Sequence, residues 1–287
     1  MPINTIDNVA IKSYEQAFLT EFQAQIGSQL KGLMREDTNV RGKEKIWSIL
    51  GGLTADPYGA PQSEVQGKTF EGSQIITTFQ PYTCDVFISK FQAMETLSDL
   101  MSQIPGALAS AAGTRSDQIR LDAMAAHTTA GQVVTTNDIL NVDAIRNAAR
   151  LLDRAGVPGQ NRYMVAHVDR KFDLMSQDQT INNQFINAYS LVDGQLPELM
   201  GFKLCFIATG EGMPGISTDT TNNKQHVYFF HHDAIGYSSQ VNPSVGLEMA
   251  NQKKSMYSWV DFSAGCSVLQ DRGLVTLEVD TVAPAAP

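Results

Sequence analysis

Residues 137–168 read NDILNVDAIRNAARLLDRAGVPGQNRYMVAHV, and this stretch decides the fold. Ile145, Ala148, Ala149 and Leu152 recur at three- and four-residue spacing, which is the buried stripe of an amphipathic helix. Arg150 and Arg154 fall in its last turns, where cations meet the negative end of the helix dipole, and Gly156 and Pro158 stop it. The spacing predicts a helix over 137–155. Residues 162–168 then form an apolar run of strand type, and 169–176 read as a short helix. Two further strands are expected at 201–208 and 226–230. Strands alternating with helices predict an α/β unit over about 133–245.

Upstream, Leu97, Leu100, Met101, Ile104, Leu108, Ala111 and Ala112 mark one side of a helix over 97–126. Pro105 removes a backbone donor and is expected to kink or divide it. Nearer the start, Ser13 and Gln16 have capping-box spacing, and Tyr14, Phe18, Phe22 and Ile26 follow every four residues. This predicts a helical arm ending near Gly27, whose apolar stripe can dock on its own core or on a neighbour.

Between the arm and the long helix the character changes. Lys31, Arg35, Arg41, Lys43 and Lys45 alternate with acids, and then Gly51-Gly52, Asp56-Pro57, Gly59 and Pro61 break the chain. Residues 68–91 return with period-two patterning. The reading is a long β excursion, and such an excursion is usually explained by function or by a partner that covers it. Downstream, strands are expected at 245–250, 257–269 and 274–279, with Asp271-Arg272-Gly273 turning the last pair into a hairpin. The tail over 282–287 is rich in Pro and Ala.

Composition narrows the function classes. The 287 residues are 43% hydrophobic and 18% charged, as in a packed globular chain. No apolar run approaches the roughly 18 residues of a membrane span. Residues 1–10 lack the basic and apolar regions of a secretory signal, so synthesis in a cytoplasm is expected. Cys84, Cys205 and Cys266 are odd in number and far apart, which fits reduced, mostly buried thiols. A net charge of −9 argues against a broad phosphate-binding face.

Several stretches, in order, resemble phage coat proteins. Gln29-Leu30-Lys31-Gly32-Leu33, the run 43–49 and Gly51-Gly52 resemble the entry to the extended E-loop in P22-like coats. Residues 82–91, YTCDVFISKF, resemble the strand leading back to the spine helix, and Arg115-Ser116-Asp117-Gln118-Ile119 resembles a motif near that helix's end. Residues 151–158 with Arg162-Tyr163-Met164-Val165 look like the helix-turn-strand of the axial domain. Met200-Gly201-Phe202-Lys203 and His232-Asp233-Ala234-Ile235-Gly236 are similar to two further landmarks.

The chain thus resembles the HK97-type major capsid proteins of tailed bacteriophages, in the P22-like group but without room for a large inserted domain. The resemblance implies an α+β fold: an N-arm over 1–29, the E-loop and flanking strands over 30–81, and a peripheral domain with the spine helix over 82–132. An axial α/β domain over 133–244 and a return to the peripheral domain with the tail over 245–287 complete it. It also implies a self-assembling icosahedral shell of pentamers and hexamers around DNA, made with a scaffolding protein and a portal, without cofactor, metal or membrane. Subunit contacts are expected at Tyr14, Phe18, Phe22, Ile26, Lys31, Arg35, Arg41, Lys43, Lys45, Trp47 and Lys68. An encapsulin-like nanocompartment shell is the alternative within the fold.

Catalytic signals are weak. Residues 210–215 match GxGxxG after a strand, but Pro214 and the polar run that follows do not form the helix that motif needs, so a surface loop is expected. His231, His232 and Asp233 carry ligand-type groups and leave an α/β metal-dependent enzyme as the alternative from another class. Adjacent histidines at a strand end point different ways, and a helix cap at Asp233 is the simpler expectation.

Overall fold

The computed structural model describes residues 28–52, 72–89, 100–127, 132–136, 138–176, 198–208, 215–216, 218–219, 223–250 and 255–281. The arm helix, Lys68, the GxGxxG stretch before Gly215 and the tail lie outside the described residues.

The helix read from the opening stretch is α2, Val142–Arg154. Asn141 caps it, its side chain accepting from the Ala144 N–H at 2.7 Å. At the other end Gly156 takes φ +70°. Its N–H donates to Asp153 O, while Val157 N–H donates to Leu152 O. That pair of bonds is a Schellman stop, which requires the left-handed conformation that glycine adopts without strain.

Next come β6 (Arg162–His167) and α3 (Val168–Met175). β7 (Phe202–Ile207) runs parallel to β6, and β9 (Lys224–His231) runs antiparallel to it. With β5 (Val133–Thr135), β8 (Thr218–Asp219) and β12 (Leu274–Asp280) they form one six-stranded sheet, β5-β12-β9-β6-β7 with β8 paired to β9. Both faces of this sheet are buried, which explains the unbroken apolar run Val227-Tyr228-Phe229-Phe230. Val227 and Phe229 join Met164, Ile145 and Leu152 on the α2 side. Tyr228 and Phe230 join Leu121, Met124, Leu30 and Met34 on the other.

The long helix is α1, Leu100–Ala125. It is one unbroken element through Pro105, so the expected division does not occur; Pro105 sits only six residues into the described helix. α1 bridges two cores. Leu108, Ala112 and Ile119 pack on Tyr237, Val260, Phe262 and Ala264 of a second sheet, whereas Leu121 and Met124 enter the core of the first.

The second sheet has the order β1-β10-β11-β4: β1 (Arg35–Thr38), β10 (Ile235–Ala250), β11 (Ser255–Val268) and β4 (Gln80–Ser89). β10 begins ten residues before the expected strand. Asn242-Pro243 reads as a break, but register shifts between Ser239 and Ser244 accommodate Pro243 inside the strand. The expected β11–β12 hairpin is also corrected. Asp271–Gly273 forms a 3₁₀ turn that carries the chain from one sheet to the other, where β12 pairs with β9 and β5.

The excursion is a separate two-stranded ribbon, β2 (Glu44–Leu50) against β3 (Gly72–Thr78), with Ile46 opposite Ile76 and Leu50 opposite Gly72.

Candidate assembly surfaces

Three groups of side chains fix the segments that leave the body of the subunit. The first joins residues 28–36 to α1. Asp117 and Arg120, one turn apart on α1, are both buried, each side chain 2% exposed. Asp117 accepts from the Ser28 hydroxyl, from Gln29 N–H at 2.6 Å and from Leu30 N–H at 3.2 Å. Arg120 donates to Ser28 Oγ at 2.6 Å and to Glu36 Oε1 at 2.8 Å, with its guanidinium 3.8 Å from the Tyr237 ring centroid. Burial pushes the Asp117 carboxyl above the usual carboxylate range, opposed by the Ser28 hydroxyl, the two N–H donors and Arg120. Burial likewise raises the Tyr237 phenol. The cluster ties residues 28–36 to the long helix.

The second group is the root of the ribbon. Trp47, expected at a subunit contact, is only 7% exposed and packs inside its own chain. A Cβ on Gly236 would meet its ring at 2.9 Å, so glycine is what lets the indole lie against β10. Trp47 Nε1–H donates to Thr77 Oγ1 at 3.0 Å, and Thr77 Oγ1 donates to Ser267 Oγ at 2.8 Å, which joins β2, β3 and β11. Arg35 and Lys45 flank the same ring at 5.6 and 5.2 Å, and Lys45 is paired to Asp37. Lys31, Arg41 and Lys43 are exposed, and Phe79 N–H donates to the Lys43 carbonyl. Tyr14, Phe18, Phe22, Ile26 and Lys68 lie outside the described residues.

The third group is the outward face of the ribbon. Ile46 is 52% exposed, Ile76 54% and Leu50 72%. Alternation puts them on the side opposite Trp47.

The histidines fill a different role from the one expected. His231 Nδ1 accepts from the Asp233 N–H at 3.2 Å, so His231, not Asp233, caps the short 3₁₀ turn His232–Ala234. His167 does the same for α3 through Asp169 N–H at 3.1 Å. Among the described residues no group of three or more His, Cys, Asp or Glu could hold a metal. Cys84 is exposed, against expectation, while burial pushes the Cys205 thiol up to about 11 and the Cys266 thiol up to about 12. Among the described residues no helix is long and apolar enough to cross a membrane.

A long helix bridging two sheets, with a two-stranded β ribbon outside both, is the arrangement of the HK97-type fold. The phage capsid protein family matches over residues 6–281, and the chain belongs to that family. It is a phage major capsid protein, a structural subunit of the icosahedral virion shell and not an enzyme. Solved structures agree on the fold. The capsid of cyanophage P-SCSP1u is similar with TM-score 0.70 at 16% identity, covering 93% of this chain and 94% of that one. The head of Helicobacter pylori bacteriophage KHP40 is similar with TM-score 0.72 at 10% identity, over 85% and 88%. The mycobacteriophage Che8 structure is similar with TM-score 0.66 at 18% identity, over 83% and 85%. No curated protein sequence matches.

Proposed function

We propose that the subunit closes its shell by laying the β2–β3 ribbon and the N-arm on neighbouring copies, with the α/β unit forming the rings of pentamers and hexamers. The observation that carries this reading is the outward apolar strip Ile46, Ile76 and Leu50. A two-stranded ribbon is marginal alone, and an exposed apolar face on a rigidly rooted element marks an interaction surface. Ring contacts of the head-to-tail kind close only at fixed rotations, so one surface serves both five-fold and six-fold settings. Each overlap is modest, and its repetition around the shell makes the whole slow to come apart.

The proposed division is the one expected from sequence: arm over 1–29, excursion over 30–81, peripheral domain over 82–132, axial domain over 133–244 and return over 245–287. In this reading a scaffolding protein and a portal take part, and assembly occurs in the host cytoplasm. The shell encloses double-stranded DNA without gripping it by sequence, in keeping with the acidic balance of 30 Asp and Glu to 21 Lys and Arg. Kinship with the P22-like coats rests on the ordered stretches between 29 and 236, and encapsulin-like use is disfavoured by the family match.

Replacing Ile46 and Ile76 together by Ser is expected to leave the subunit folded, because both side chains face solvent, and to abolish closed shells seen by electron microscopy. Shells of normal yield from this variant would refute the role given to the ribbon.

A further inference from the structure

The chain passes between its two large sheets at two short turns that lie against each other. His232–Ala234 leads from β9 into β10, and Asp271–Gly273 leads from β11 into β12. The Ala234 carbonyl accepts from Leu269 N–H at 2.7 Å and from Gln270 N–H at 3.2 Å. A Cβ on Gly273 would meet the Ala234 Cβ at 2.6 Å, so no side chain separates the turns. The end of α1 reaches the same place, where Met124 shares a core with Ala234, Ile235 and Leu274. A change in the angle between the sheets has to pass through this joint.

A buried imidazole sits in the joint. His127 follows the last turn of α1, its backbone N–H donating to Met124 O at 3.2 Å. Its side chain is 3% exposed, and neither ring nitrogen has a hydrogen-bond partner among the described residues. Burying an unpaired polar ring is costly, and burying it charged costs more. The exposed carboxylate of Asp271 stands 3.7 Å from His127 Nε2, beyond hydrogen-bond reach. The other charged groups of the neighbouring elements are engaged elsewhere or exposed. Asp233 meets His231 and His232, Arg120 meets Asp117 and Glu36, and Arg272 is exposed. Residues 128–131, TTAG, carry no charge. Burial lowers the His127 pKa from its ordinary value, and Asp271 opposes the change.

We infer that the joint between the two sheets is an acid-sensitive hinge, closed while the His127 ring is neutral and loosened when the ring takes a proton. Opening the Asp271–Gly273 turn hydrates the ring, which then titrates near the ordinary histidine value of about 6.5. The closed joint binds the same proton less readily. Acid therefore favours the open form: closure is fullest above the ordinary value and weakens as pH falls below it. Asp271 limits the effect, because its carboxylate offers the imidazolium a partner. In a shell subunit this hinge couples proton uptake to the angle between the α/β unit and the four-stranded sheet. The inference concerns the subunit itself and does not depend on where the ribbon docks.

Amide exchange of free subunits, read by mass spectrometry and corrected for intrinsic rates, tests it at about pH 7.5 and about pH 5. Wild type is compared with His127→Gln and His127→Phe, neither of which titrates there. In wild type the protection of residues 269–277 is expected to fall about tenfold on acidification, while β6 stays protected. Both variants should keep the same protection at the two pH values. An equal fall in wild type and variants overturns the inference, as does a fall spread evenly over β6. A rise in wild-type protection at low pH also overturns it, since His127 and Asp271 would then form a latch that acid closes. Should the variants fail to fold, a nuclear magnetic resonance titration of the wild-type His127 ring decides. A midpoint below the ordinary histidine value supports the hinge, and one at or above it overturns the inference.

Discussion

Replacing Arg120 by Ala is expected to cost the subunit about 3–5 kcal/mol of unfolding free energy, the loss typical when one partner of a buried pair is removed. The guanidinium serves Asp117, Ser28 and Glu36 and lies on the Tyr237 ring. Without it, Asp117 retains only its hydroxyl and N–H donors, and Glu36 keeps the Gly32 N–H at 3.1 Å. Two readouts check this. Urea unfolding of free subunits should show the drop in stability, and proteolysis near Ser28 should accelerate because the arm root is no longer tied to α1. Removing Asp117 as well, as Asp117→Asn with Arg120→Met, should cost less than the sum of the single changes, since no unpaired buried charge remains. Additive losses would show that the two groups do not act as a unit.

Trp47→Ala should have the second largest effect, about 3–5 kcal/mol for truncating a buried aromatic. Its consequence is more local than that of Arg120. The indole fills the space above Gly236 and starts the relay through Thr77 to Ser267, so its loss frees the ribbon from β10 and β11. Amide exchange of β2 and β3 should rise while that of β6 and β9 stays slow. Trp47→Phe keeps most of the packing and loses one hydrogen bond, about 1 kcal/mol, and should still assemble. If β2 and β3 stayed protected in Trp47→Ala, the anchor would lie elsewhere.

Much of this fold could be read locally. The α2–β6 segment carries its cap, its stripe and its glycine stop within thirty residues, so the helix and the strand after it fall close to where the spacing puts them. The ribbon was legible as an excursion because its breakers and returning alternation are also local. What failed depends on distant partners. Asp271-Arg272-Gly273 has hairpin chemistry, yet β12 goes to β9 and β5 because Val275 and Leu277 complete the core beneath α2. Asn242-Pro243 looks like a strand end until register shifts absorb it.

The site shows the same division. Asp117 and Arg120 stand three residues apart on α1, and nothing nearby in sequence announces partners at Ser28 and Glu36, more than eighty residues away. A buried acid and base on an otherwise apolar helix face was the available signal. Trp47 stood among charges and looked like surface, but alternation along β2 sets it opposite Ile46 and turns it inward. The stack of Phe87 on Tyr257 was hidden because the two rings meet only through strand pairing across the sheet.

In the function proposed above, this chain builds a closed shell from copies of itself by laying its ribbon on neighbours. Electron microscopy of the purified protein, concentrated alone and with the proposed scaffolding protein, tests it most directly. Uniform rings and closed icosahedral shells are the predicted result, and a monodisperse monomer under both conditions would contradict it.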